Sequence, residues 1–297
     1  MKLAIFDDMR LGVVSGDGRS VVDVTAALPW PHDRDPVGAG WWVRMCRDLG
    51  SLRPRLETAA SGGRATPISE VRLRAPVLNP GKIVACAVNY AEHVAEMASV
   101  HQRVGGDRPA WLMRFDVFLK APSSIVGPAD AVVLPAVPVA EGREIHHESE
   151  LSFVIGKGGA NILERKAFDH IAGYTIGLDM TVRGEGDRSR RKSYNTFTPL
   201  GPWLTTADEI ADPHALRITL SVNGETRQDV DTATMSMRIP AIVAYASSVM
   251  RLDPGDVVLT GSPSGVGQVK AGDVIDTSIT GLGSMRIRVI PGSDQQV

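Results

Sequence analysis

Two carboxylates, Glu148 and Glu150, stand two residues apart in the run Ile145-His146-His147-Glu148-Ser149-Glu150-Leu151, which passes into the apolar segment Ser152-Phe153-Val154-Ile155. In a strand, side chains alternate with period two, so both would project from one face. Carboxylates held side by side repel, and burial without a counter-charge raises the pKa of at least one. A hard divalent cation removes that conflict. Oxygen ligands with room for water suit Mg²⁺ or Mn²⁺ better than Zn²⁺. The competing reading of Glu-x-Glu is a solvated strand edge. A third carboxylate, Asp179, closes the apolar run 171–178, where an Asp either lines a cleft or caps a helix or turn.

Beyond Asp179 come Arg183, Arg188, Arg190, Arg191 and Lys192. Most of such a basic run is expected to be solvated. Beside a carboxylate–metal site, however, an anionic substrate needs counter-charges: Arg grips a carboxylate through paired hydrogen bonds, and Lys acts as a mobile point charge. Upstream, Asn89-Tyr90-Ala91-Glu92-His93-Val94-Ala95-Glu96 reads as a helix start, with Asn89 and Glu92 spaced as a capping box. His93 and Glu96 then lie at i and i+3, where the carboxylate can orient the imidazole to take a proton from water near neutral pH. The alternative is an ordinary amphipathic surface helix. Near the C-terminus, Thr260-Gly261-Ser262-Pro263-Ser264-Gly265-Val266-Gly267 follows an apolar strand and offers backbone N–H and hydroxyl donors. It lacks the endings of phosphate-binding and dinucleotide-binding loops.

The elements that must hold these groups are mostly short strands. Apolar runs at 83–88, 131–134, 151–155, 171–176, 218–222, 257–260 and 285–290 predict strands, as do 3–6, 11–14 and 20–24 near the N-terminus. Helices are expected at 38–49 and 239–250, and the Gly/Ser/Pro passage 61–67 reads as a connection. Strands and helices do not alternate regularly, which argues against a doubly wound fold or a TIM barrel and predicts a β-rich α+β class. A boundary near residue 72 divides a small N-terminal domain, 1–72, from a larger one, 73–297. The 297 residues are 43% hydrophobic and 22% charged with net charge −2, so nothing global points to nucleic acid or an anionic membrane. No apolar run approaches the roughly 20 residues of a membrane span. Cys46 and Cys86 are too few for a disulfide framework, and Asp7 and Asp8 come too early for a secretory signal, so a cytoplasmic enzyme is expected.

In order along the chain, Asn89-Tyr90-x-x-His93-x-x-Glu96, Phe118-Leu119-Lys120-x-x-Ser123, His147-Glu148-Ser149-Glu150-Leu151, Gly173-Tyr174-Thr175 with Asp179 and Arg183, Lys192-Ser193, Gly201-Pro202-Trp203, and Gly255-Asp256 through Gly267 resemble the fumarylacetoacetate hydrolase family. The resemblance spans roughly residues 81–290. It implies a mixed β-sheet roll around a divalent metal, commonly a homodimer, with a small N-terminal domain as in two-domain bacterial members. Glu148, Glu150 and Asp179 match the metal carboxylates. His93 and Glu96 match the water-activating pair of a lid helix that closes over the metal, and Lys192 matches an active-site lysine. Arg183, Ser262, Tyr90 and Lys120 fall where substrate contacts are implied. Ala87 stands where the family usually has Gly, and Ser262 replaces the commoner Thr.

The implied substrate is a small 2-oxo acid, whose carboxylate and keto oxygens can chelate a hard cation that stabilises charge as a C–C bond breaks. Because both members of the His93–Glu96 pair are present, hydrolysis of a 3-acylpyruvate is the leading expectation. Decarboxylation or isomerisation of a related 2-oxo acid is the second, and a non-catalytic metabolite-binding protein the third. Positions 100–111 and the N-terminal domain are expected to shape the pocket.

Overall fold

The sheet that carries the acidic residues begins at the first residues of the chain. The computed structural model describes residues 1–34, 40–93, 96 and 114–292, so the expected pocket segment 100–111 lies outside the described residues. Strands Lys2–Phe6, Arg10–Val14, Ser20–Asp23 and Ala65–Pro67 form an antiparallel meander. Its first strand pairs with Thr198–Thr206, and the sheet continues through Ile171–Leu178, Ser149–Ile155, Val257–Leu259 and Ile83–Ala87 to Asp116–Lys120. With Ile125–Val126 joined to Thr198–Thr206, eleven strands among the described residues form one sheet.

Central position explains why the middle strands read as near-continuous apolar runs. Every residue of Ser149–Ile155, Ile171–Leu178 and Thr198–Thr206 is buried, because both faces are covered. One cover is helix Gly40–Gly62, which packs Trp41, Trp42, Met45, Cys46, Leu52 and Leu56 into a core with Leu3, Ile83, Val154 and Leu204. The larger core joins Leu151, Phe153, Tyr174 and Leu178 to helix Ile239–Val249 and to a second, five-stranded sheet. That sheet runs Glu225–Asp231, Arg217–Val222, Val274–Ile279, Gly283–Pro291 and Ala131–Leu134 in spatial order. A three-stranded patch of Thr181–Val182, Ile145–His147 and Gly267–Gln268 lies beside the acidic residues. The class is β-rich α+β.

Two local expectations change. The helix expected at 38–49 is described from Gly40 and runs to Gly62, through Pro54 and into the passage read as a connection. Apolar residues recur at helical spacing as far as Leu56, and their burial outweighs the roughly 3 kcal/mol that an interior Pro costs. Residues Ala65–Pro67 are then an edge strand, not linker. The position expected as a boundary, near residue 72, lies among ladder contacts: Asp7 N–H donates to the Arg72 carbonyl and Arg74 N–H to that of Ile5. No helix among the described residues is long and apolar enough to cross a membrane.

Candidate metal centre and active site

Strand register brings the acidic residues together. Glu148 sits between Ile145–His147 and Ser149–Ile155, and Ser149 pairs with Leu178 across the ladder. The next residue past each partner therefore meets its counterpart, and Asp179 N–H donates to the Glu148 carbonyl at 2.8 Å. Glu148, Glu150 and Asp179 each offer a carboxylate oxygen, and these oxygens lie within 4.8 Å of one another. Their exposures of 4%, 1% and 1% rule out the solvated-edge reading of Glu-x-Glu.

Each charge has a partner. Lys192 Nζ bridges Glu148 Oε2 at 2.7 Å and Asp179 Oδ2 at 2.5 Å. Arg183 Nη2 donates to Glu148 Oε1 at 2.6 Å, and Lys120 Nζ to Asp179 Oδ1 at 2.5 Å. Glu150 accepts from the Gly261 backbone N–H at 2.7 Å. Burial alone would raise the Glu148 carboxyl, but Lys192 and then Arg183 hold it well below the usual carboxylate range, helped by His93 within electrostatic reach. Burial, reinforced by Asp179 and Glu148, pushes Glu150 well above that range against the pull of Lys192 and the Gly261 amide. Converging buried carboxylates of this kind are a donor set for a hard divalent ion, and the residues fit Mg²⁺ or Mn²⁺. Asp179 is not a helix cap, since its carboxylate oxygens receive ammonium groups.

His93 and Glu96 pair as their spacing predicts, with Nδ1 and Oε2 3.1 Å apart. The helical turn that carries them rests on the last loop: Gly265 N–H donates to both Glu96 oxygens at 3.1 and 3.2 Å, and Ser264 Oγ to Glu92 at 3.4 Å. The capping box does not form. Asn89 is buried, donating to the Met237 and Thr260 carbonyls and accepting from Met237 N–H, so it ties the strand end to two distant segments. Val88 before it has φ +61°, a left-handed conformation that a β-branched residue rarely adopts.

The residues implied as substrate contacts divide. Arg183 and Ser262 are buried beside the carboxylates and the last loop, and Ser262 Oγ donates to the Pro263 carbonyl while accepting from Gln228. The Lys120 side chain is fully enclosed, and its ammonium holds Asp179 and the Phe197 carbonyl. Tyr90 is 2% exposed, and its hydroxyl has no hydrogen-bond partner among the described residues. Arg191, expected to be solvated, is buried and donates to the Gly186 and Val182 carbonyls. Arg190 is exposed, and Arg188 is half-buried.

Residues 82–290 match the family model for the C-terminal part of fumarylacetoacetate (FAA) hydrolase. The chain belongs to the fumarylacetoacetate hydrolase family. Maleylpyruvate hydrolase of Aquipseudomonas alcaligenes is 40% identical over 293 residues, 97% of this chain and 99% of that protein. The structure of maleylpyruvate hydrolase from Sphingobium sp. SYK-6, in complex with manganese(II) ion and pyruvate, matches with TM-score 0.85 at 41% identity, covering 99% of this chain and 100% of that one. A mitochondrial oxaloacetate tautomerase of Xenopus laevis is 36% identical over 296 residues, 95% of this chain and 86% of that protein.

Within this family member, sequence reasoning missed Gln228 and the buried pair His146 and His147. Burial lowers both imidazoles to a pKa of about 4, so they are neutral near pH 7. His147 is fully buried; neither ring nitrogen makes a hydrogen bond of ordinary geometry among the described residues, and Gln228 is near enough to interact with it. The available signal was two adjacent polar residues leading into a strand. Gln228 gave none, because it lies among charged residues.

Proposed function

We propose that this chain is a divalent-metal-dependent hydrolase that cleaves the C–C bond of a 3-acylpyruvate of the maleylpyruvate or fumarylpyruvate kind. The observation that carries this reading is the coexistence of the buried Glu148–Glu150–Asp179 cluster and a half-buried His93–Glu96 pair within electrostatic reach of it. A cation held by the three carboxylates supplies Lewis acidity toward the carboxylate and keto oxygens of a 2-oxo acid. The chain's own residues do the remainder. Glu96 orients the His93 imidazole, which takes a proton from water as its oxygen bonds to the distal carbonyl carbon. The bond between that carbon and C3 of the pyruvate unit breaks, and C3 takes a proton. One molecule of water is consumed, and pyruvate and a second carboxylic acid leave. Lys192 and Arg183 hold Glu148 ionised and present positive charge to the anionic substrate.

The likeness to an oxaloacetate tautomerase favours a second reading, proton relocation on a 2-oxo diacid without water attack. Purified protein with Mn²⁺ or Mg²⁺, offered maleylpyruvate, fumarylpyruvate, simple acylpyruvates and oxaloacetate, separates the two. The hydrolase reading expects equimolar pyruvate and partner acid. Enol–keto exchange of oxaloacetate with no acylpyruvate cleavage would replace it. We also propose a cytoplasmic homodimer, consistent with two buried free cysteines and with the Asp116–Lys120 strand ending the sheet with Leu119 exposed. The division into units 1–72 and 73–297 accords with a family match that starts at residue 82.

A further inference from the structure

Glu225–Asp231 is an edge strand whose side chains are solvated with one full exception. Gln228 is 0% exposed among neighbours such as Arg227 and Asp229, which face water. A lone buried amide must satisfy its donors and acceptor, and the bonds of Gln228 all lead to the site. Its Oε1 accepts at 2.9 Å from the N–H of Ser149, the residue between Glu148 and Glu150. Its Nε2 donates to Ser262 Oγ at 3.2 Å and to the Pro263 and Ser264 carbonyls at 3.1 and 3.4 Å. The loop also lies hard against this strand: a Cβ on Gly265, which has φ +90°, would collide with the Arg227 carbonyl oxygen.

From that seat the loop serves both halves of the site. Gly261 N–H reaches Glu150 at one end, and Gly265 N–H reaches Glu96 at the other. We propose that Gln228 is a positioning residue, which fixes the height of the 261–265 loop over the acidic strand and thereby aligns Glu150 and the His93–Glu96 pair together. The proposal deepens the hydrolase reading and rests on it. Gln228 itself touches neither substrate nor metal.

The test is a double-variant cycle in Mn²⁺-saturated enzyme, supported by Mn²⁺ titration followed by the electron paramagnetic resonance of the free ion. Gln228→Met keeps the volume and removes every hydrogen bond. It should lower kcat at least about tenfold with KM changed less than about threefold, and weaken Mn²⁺ binding by about tenfold, as loss of an outer-shell partner does. Glu96→Ala should lower kcat without weakening Mn²⁺. If Gln228 acts through Glu96, the double variant should be no slower than Glu96→Ala within about twofold, because coupled residues are not additive. Fully additive losses in kcat, or unchanged kcat and Mn²⁺ affinity in Gln228→Met, would overturn the assignment. Should Gln228→Met fail to fold, Gln228→Glu keeps the acceptor toward Ser149 and replaces the donors to the loop by a carboxylate oxygen. It is expected to show the same kcat loss, and full activity would overturn the proposal. If the wild type cleaves no acylpyruvate, the hydrolase reading falls. Mn²⁺ affinity then decides this inference alone: about tenfold weaker in Gln228→Met supports it, and unchanged affinity refutes it.

Discussion

The acidic cluster and the His93–Glu96 turn sit close together but are built in different ways. Glu148, Glu150 and Asp179 stand on or beside fully buried strands of the central sheet, and each carboxylate is fixed by charged or backbone partners. The His93–Glu96 turn lies outside the sheet, half-buried, and is held at Glu92 and Glu96 by donors from the last loop. Metal binding needs a rigid donor set that persists without substrate. Water activation needs a group placed against the bound substrate but outside the donor set itself. Substitutions in the two regions should therefore fail differently, the first losing metal and the second losing only turnover.

The largest effect is expected from Asp179→Asn or Glu150→Gln. Outer-shell changes typically lower metal affinity about 10–100-fold, so removing a carboxylate of the set should exceed about 10²-fold. Calorimetric Mn²⁺ titration checks this, and near-normal affinity in both variants would remove the cluster as the metal site. Next comes His93→Ala, expected to lower hydrolysis by about 10²–10⁴-fold, the usual contribution of a general base. Mn²⁺ and oxalate binding should be retained. Equal loss of metal and turnover would erase the distinction between the regions.

Lys192→Ala sharpens the comparison, since this ammonium touches two of the carboxylates yet is assigned to substrate charge. Turnover should fall by about 10–10²-fold, below the usual loss for a principal charge-stabilising donor. Mn²⁺ affinity should stay equal or rise, because a competing cation is gone. Loss of the metal in this variant would make Lys192 part of the scaffold.

The smallest effect concerns stability. His146 and His147 are neutral in the fold with pKa about 4, but in the unfolded chain they take up protons near pH 6.5. The unfolded state therefore binds more protons in that window. Their contribution is complete above about pH 6.5 and is lost as pH falls toward 4, by at most about 1.4 kcal/mol per histidine per pH unit. Glu148, with its depressed pKa, adds loss in the same direction at lower pH. Melting temperature measured across pH 4–8 should drop on the acid side, and His147→Gln should flatten that slope. An acid limb unchanged by the substitution would contradict the assignment.

The same contrast shows what could be read before the fold was known. The carboxylate site was legible because Glu-x-Glu leads into an apolar strand and Asp179 ends another, and family motifs fix their order. Lys120 was legible as a candidate but its contact with Asp179 was not, since that partner is 59 residues away and only pairing reveals it. The Thr198–Thr206 strand was hidden by Pro199, Gly201 and Pro202, which argue against a central strand. Yet it carries the contact between the N-terminal meander and the acidic sheet. Gln228 was invisible because no local pattern distinguishes a buried amide among charged neighbours.

The central claim is that the chain adds water across a carbon–carbon bond at this site. Turnover of maleylpyruvate by the Mn²⁺-loaded enzyme in ¹⁸O-labelled water, with both products analysed by mass spectrometry, tests it most directly. The account predicts pyruvate and maleate in equal amounts, with one ¹⁸O entering the newly formed maleate carboxylate and none entering the pyruvate carboxylate. Release of CO₂, or an isomer with no second acid and no label in a new carboxylate, would contradict it.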